Sequence, residues 1–263
     1  MTMGWTQKCD IDDANLPIPT RIVSNEEFDP PDQTDEARIK STGLVYMLYG
    51  GSTALVRLHM RFSMWNEAAS EMEKAKTGDP TSFSEKYRSA MHAYLKGMAS
   101  VENGRSEAAA EQLDLLQRSI DEMTASKSQN ASDWYFAYAA RIVAAQLLDL
   151  RGSLASIRGE HETAIKILSE AAAKERDLGY WEPPHYTRPV LESLGAAYIR
   201  AGKYEDARAA FEKILETRPN SGFAYIGIAK ALALAGKSKE AAAAQMRLAI
   251  VWKNADKDIP QTK

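Results

Sequence analysis

Two adjacent stretches decide the fold: RPVLESLGAAYIRAGKYEDARAAFEKILETRPNS, from Arg188 to Ser221, and GFAYIGIAKALALAGKSKEAAAAQMRLAIVWKNA, from Gly222 to Ala255. Gly202 and Gly236 lie 34 residues apart, as do Ala207 and Ala241. Each half of the period reads as a helix, with the glycine at the turn between them. Glycine adopts the left-handed backbone of a helix C-terminus at little cost. Small Gly195 and Ala207 allow two antiparallel helices to approach closely, while Tyr198 and Phe211 fill the space around that contact. Pro219 is expected to start the next hairpin, since proline suits a first turn but not a helix interior.

These positions resemble the tetratricopeptide repeat, whose period is 34 residues. Leu194, Gly195 and Tyr198 match its first-helix element, Ala207 and Phe211 its second-helix element, and Pro219 its closing proline. Weaker copies lie upstream. Gly152, Gly159 and Ala164 take the same relative places, as do Gly97, Gly104 and Ala109; Trp65, Ala68, Met72 and Pro80 match Tyr204, Ala207, Phe211 and Pro219. Gly159 and Gly202 are 43 residues apart, nine more than the period, which sets residues 179–187 apart as an insertion. The reading is an all-α, right-handed solenoid of about five such hairpins with one continuous core. Its expected parts are an extended N-terminal arm (1–40) rich in proline, a helical-repeat domain (41–258) and a short tail (259–263).

A closer resemblance rests on RFSMWNEA (61–68), HAYLKGMA (92–99), Glu182-Pro183-Pro184, PVLESLGAAYIRAG (189–202) and the closing Trp252, Ala255 and Asp256. The combination is similar to a mostly bacterial group of tetratricopeptide-repeat proteins with an EPP loop before the last two repeats. The group implies the fold more than a biochemical role.

Composition narrows the function. Net charge is −3 with no lysine or arginine cluster, so nucleic acid is not an expected partner. Apolar runs such as residues 44–49 are far short of a membrane span, and the first residues lack the basic start and apolar run of an export signal; a soluble, cytoplasmic protein is expected. Cys9, the only cysteine, excludes an internal disulfide. No GxGxxG, P-loop, GxSxG or CxxC motif occurs, and His161-Glu162 lacks the second histidine of a zinc helix. No cofactor is expected. Gly50-Gly51-Ser52-Thr53 reads as an N-terminal cap for the first hairpin.

First helices of such hairpins line a concave groove. Its expected lining is Arg57, Arg61, Tyr94, Met98, Asp149, Ser153, Ser156, Glu192, Arg200 and Lys230. The mixture of charges with apolar anchors suits a protein or peptide partner, and the leading reading is a non-enzymatic scaffold or adaptor. The rival reading is an enzyme or a small-molecule or metal binder with a pocket under the Glu182 loop. There Trp181, Glu182, His185 and Tyr186 would fold over the groove, and His59, His92 and Glu182 form a candidate metal or acid–base set.

Ala207 tests the register. Ala207→Glu would bury a carboxylate at the closest helix contact and should cost more than about 4 kcal/mol. Thermal unfolding followed by circular dichroism reads this loss; an unchanged Tm would mean that Ala207 faces solvent.

Overall fold

The turn glycine recurs because every hairpin closes with the same backbone bond. In the computed structural model, which describes residues 53–75, 83–125, 133–179 and 188–255, ten helices form five pairs: α1 (Ala54–Arg61) with α2 (Trp65–Lys74), α3 (Phe83–Glu102) with α4 (Ser106–Ala125), α5 (Asp133–Ile157) with α6 (His161–Arg176), α7 (Val190–Arg200) with α8 (Tyr204–Thr217), and α9 (Gly222–Leu234) with α10 (Ser238–Val251). No strand occurs among the described residues. At the five turns, the N–H groups of Met64, Arg105, Glu160, Lys203 and Lys237 each donate to the carbonyl five residues back, at 2.8–3.0 Å. This is the long bond of a Schellman ending, and it needs a left-handed residue just before it. Gly104, Gly159, Gly202 and Gly236 supply that residue, with φ between 68° and 79°. In the first hairpin Ser63 takes the place, at φ 56°.

One turn into each second helix stands an alanine: Ala68, Ala109, Ala164, Ala207 and Ala241, all at most 4% exposed. A Cβ on Gly195 would overlap the Phe211 ring, and one on Gly152 would overlap Leu168, the residue equivalent to Phe211. A Cβ on Gly97 would instead meet Leu150 of the next hairpin. Phe211 also presses on Gly227 of α9, so its ring is clasped between two hairpins. Pro219 precedes α9 by three residues and does not begin it; Ser221 is the N-cap, its hydroxyl accepting the Ala224 N–H at 3.3 Å. At α1, Thr53 holds the N-cap position, but its hydroxyl accepts from Arg57 Nη1 at 2.7 Å and caps no backbone group.

Each second helix packs on the next first helix. Successive first helices α3, α5, α7 and α9 also touch one another, whereas successive second helices make no comparable contact. The stack therefore turns with its first helices inside, the arrangement of a tetratricopeptide-like helical solenoid. Its core is not one body of side chains but three adjoining clusters: one from α1 to α5, one from α5 to α7 and one from α8 to α10. Nearest-neighbour packing in a repeat array produces this division.

By internal contacts the chain divides into two units, Met1–Lys40 and Ser41–Lys263, and every described residue belongs to the second. The expected arm over 1–40 and the tail over 259–263 lie outside the described residues.

Opposite substitutions at equivalent turns should move stability in opposite directions. A left-handed backbone costs an L-residue about 1–2 kcal/mol, and glycine gives back part of that in chain entropy. Ser63→Gly should therefore stabilise by about 0.5–1 kcal/mol. Gly202→Ala, whose Cβ would meet nothing within 4 Å, should destabilise by about 1 kcal/mol from backbone strain alone. Urea unfolding of both variants checks the pair.

Candidate functional site

Charged side chains converge where the inner helices meet. Glu192, in the first turn of α7, is 5% exposed; its carboxylate accepts from Arg61 Nη1 at 2.9 Å and lies 3.4 Å from Arg188 Nε. The latter contact is ionic, since Arg188 Nε forms no aligned hydrogen bond among the described residues. Arg61 belongs to the first hairpin and Glu192 to the fourth, 131 residues apart. The Arg61 guanidinium also lies over the Phe223 ring at 4.1 Å, and Phe62 meets the same ring edge-on. The end of α1 thus reaches both the fourth and fifth hairpins. Desolvation pulls the Arg61 pKa below its ordinary value, and the Glu192 charge opposes that shift.

Behind this ion pair lies a second buried group. The Tyr94 hydroxyl donates to Asp149 Oδ2 at 2.7 Å, and Ser153 Oγ lies 3.4 Å from Asp149 Oδ1. Arg188 Nη1 donates to Ser193 Oγ at 2.9 Å, and the Ser193 hydroxyl bonds Asp149. Burial raises the Asp149 pKa, against the Arg188 charge and the Tyr94, Ser193 and Ser153 hydrogen bonds. Burial, reinforced by Asp149, pushes the Tyr94 hydroxyl well above its ordinary range. Arg188 further lies 5.5 Å from the Trp65 ring, and Trp65 meets Tyr94 edge-on. These contacts link the first four hairpins.

In front of the network opens a cleft of about 200 Å3. Met98, Ser153, Glu192, Arg200 and Lys230 from the expected groove set all line it, together with Arg188, Ser193, Phe223 and Ile226. Arg200 and Lys230 are exposed, with Arg200 Nη1 3.4 Å from Ser156 Oγ. Tyr94 and Asp149 are buried and hydrogen-bonded to each other, Ser156 is 2% exposed, and Arg57 bonds its own N-cap. A larger cavity, about 800 Å3, lies among α6, α7 and α8. Its walls are mainly apolar, including Leu178, Leu194, Tyr198 and Ile214, and Gly179 and Pro189, on either side of residues 180–188, both line it. The smaller cleft is the better candidate site because charged groups from several hairpins converge there.

Trp181, Glu182, His185 and Tyr186 lie outside the described residues. Of the candidate metal set, His92 Nε2 stands 3.6 Å from Glu73 Oε2, and the buried His59 Nδ1 has no hydrogen-bond partner among the described residues. No group of three potential metal ligands forms among the described residues. Glu162 pairs with Lys203 at 2.7 Å and is largely exposed.

The sequence reading missed Arg188, Ser193, Phe223 and Glu175. Arg188 had one available signal, its place directly before Pro189 at the head of a first helix. Glu175 spans two hairpins: its Oε2 accepts the Val190 N–H at 2.8 Å. It thereby satisfies one of the orphan donors at the start of α7. Part of the Glu175 side chain reaches solvent, but its carboxylate is enclosed. Burial raises its pKa to about 7; the Asp149 and Glu192 charges add to the rise, while the Val190 N–H and Arg218 oppose it.

Residues 189–221, covering α7 and α8, match the family model described as tetratricopeptide repeat. No curated protein and no solved structure matches the chain.

The Glu175 shift has a signed consequence. Its folded pKa, about 7, exceeds the ordinary value of 4.5. The folded state therefore holds an extra proton between these values, and stability falls as pH rises through that window. Glu175→Gln keeps an acceptor for Val190 and removes the titration. Urea unfolding should show the variant more stable than wild type by up to about 3 kcal/mol near pH 8, with the advantage gone near pH 4.

Proposed function

We propose that this tetratricopeptide-like solenoid is a non-enzymatic scaffold or adaptor whose inner helices hold a protein or peptide partner. The observation that carries the reading is the match of α7 and α8 to the tetratricopeptide repeat within a stack of five hairpins closed by one kind of turn. Such stacks present extended concave surfaces used for recognition. The contact surface is the open side of the inner cleft, where Arg200 and Lys230 are exposed beside Met98, Phe223 and Ile226. Arg61, Glu192, Tyr94 and Asp149 support it from behind. Their part is to fix the relative positions of the inner helices, because each is engaged with another hairpin. A cytoplasmic setting and kinship with the bacterial group carrying the EPP loop fit this reading. No helix among the described residues is long and apolar enough to cross a membrane.

Affinity capture from a bacterial lysate with the full chain tests the proposal. Reversing both exposed cations, Arg200→Glu with Lys230→Glu, should abolish recovery of the specific partner. Lys213→Glu, at the outer cavity, should leave recovery unchanged. A partner retained equally by both variants would place binding elsewhere than on the inner helices.

A further inference from the structure

The inner cleft carries a positive charge that its own carboxylates do not balance. Arg188, Arg200 and Lys230 line it against Glu102 and Glu192, and Glu192 is already shared between Arg188 and Arg61. Among the described residues, neither Arg200 nor Lys230 has a carboxylate within ion-pairing distance, and the closest polar partner of Arg200 is the Ser156 hydroxyl at 3.4 Å. Desolvation, and then the nearby charge of Arg188, pull the Arg200 guanidinium below its ordinary pKa. This surplus stands in a chain whose net charge is −3.

Apolar lining comes from Met98, Val101, Phe223 and Ile226, beside the hydroxyl residues Ser63, Ser153 and Ser193. At about 200 Å3 the cleft has the volume of about seven liquid waters, below the usual size of a pocket for a drug-sized ligand. A bare inorganic anion would satisfy the cations but leave the apolar wall uncovered. A hydrocarbon would cover the wall and leave the cations unpaired. We propose that the cleft binds a single carboxylate on a short apolar stem, the carboxylate held by Arg200 and Lys230 and the stem lying on Phe223 and Ile226. Two sources carry this group: a free short-chain acid, and the glutamate side chain of a bound partner. Only the second rests on the scaffold reading.

Titration calorimetry of the full chain separates them. The probes are butyrate and glutarate, the neutral analogue butyramide, inorganic phosphate, and an amidated, acetylated tetrapeptide with one internal glutamate beside its glutamine counterpart. If the free acid is the source, butyrate or glutarate saturates the protein at millimolar concentration and butyramide does not. If the source is a partner's side chain, the glutamate peptide binds more tightly than the free acids and its glutamine counterpart fails to bind. In either case Arg200→Met and Lys230→Met should each weaken binding about tenfold or more. Both side chains are exposed, so folding should be preserved, and Lys213→Met serves as the unaffected control. The proposal is overturned if no acid and no glutamate peptide binds, or if the neutral forms bind equally. It is equally overturned if phosphate binds and the carboxylates do not, or if the two variants bind like wild type. Such a result would leave partner capture by the inner helices standing.

Discussion

The pairing of Glu192 with Arg61 and Arg188 is the interaction on which the arrangement of the inner helices depends. A repeat array is held by contacts between neighbouring units, so small errors in stacking angle accumulate along it. The ion pair ties the first hairpin directly to the fourth and thereby fixes the sum of the intervening angles. Removing one partner of a buried pair leaves the other uncompensated, which typically costs about 3–5 kcal/mol. Here Arg61 also rests on Phe223, so loss of its side chain would weaken the hold of the first hairpin on the fifth, leaving the edge-on contact of Phe62 with the same ring. Arg188 carries the link inward through Ser193 to Asp149 and Tyr94.

This network changes what the concave side is. An open trough would expose the polar residues of every first helix. Instead Tyr94, Asp149, Ser156 and Glu192 are withdrawn into contacts among hairpins, and the accessible remainder is a compact cleft with Arg200 and Lys230 exposed beside it. Recognition at such a place depends on a few side-chain-sized contacts held by a stiff support, rather than on a long peptide lying across five helices.

The hairpins were legible in the sequence because their determinants are local. The left-handed turn position requires glycine at little cost, and the tight helix contact requires alanine, so both leave a residue-level mark at a fixed period. Ser63 escaped notice because a non-glycine filled the turn. Pro219 was read as the start of the next hairpin, three residues too early, because the Ser221 hydroxyl and not the proline caps α9. The site was less legible. Arg200 and Lys230 could be assigned to inner helices by counting along the repeat. The joining of Arg61 to Glu192 could not, because it arises from the cumulative curvature of the intervening hairpins. The division of the core into three clusters likewise follows from which helices touch, not from apolar periodicity.

The placement of Phe211 has a further consequence for how the molecule comes apart. Its ring belongs by sequence to the fourth hairpin, yet it occupies the space left by glycines on both α7 and α9. The surrounding cluster continues through Ile214 and Ile228 to Ala241 and Ala244. Neither of the last two hairpins has a finished interior without the other. Opening one exposes the same aromatic surface as opening its neighbour, so the smallest cooperative unit at this end is a pair of repeats. Fraying from the C-terminus would then proceed by two hairpins at a time, and the loss of α7 to α10 would take Glu192, Arg200, Phe223 and Lys230 out of the cleft together.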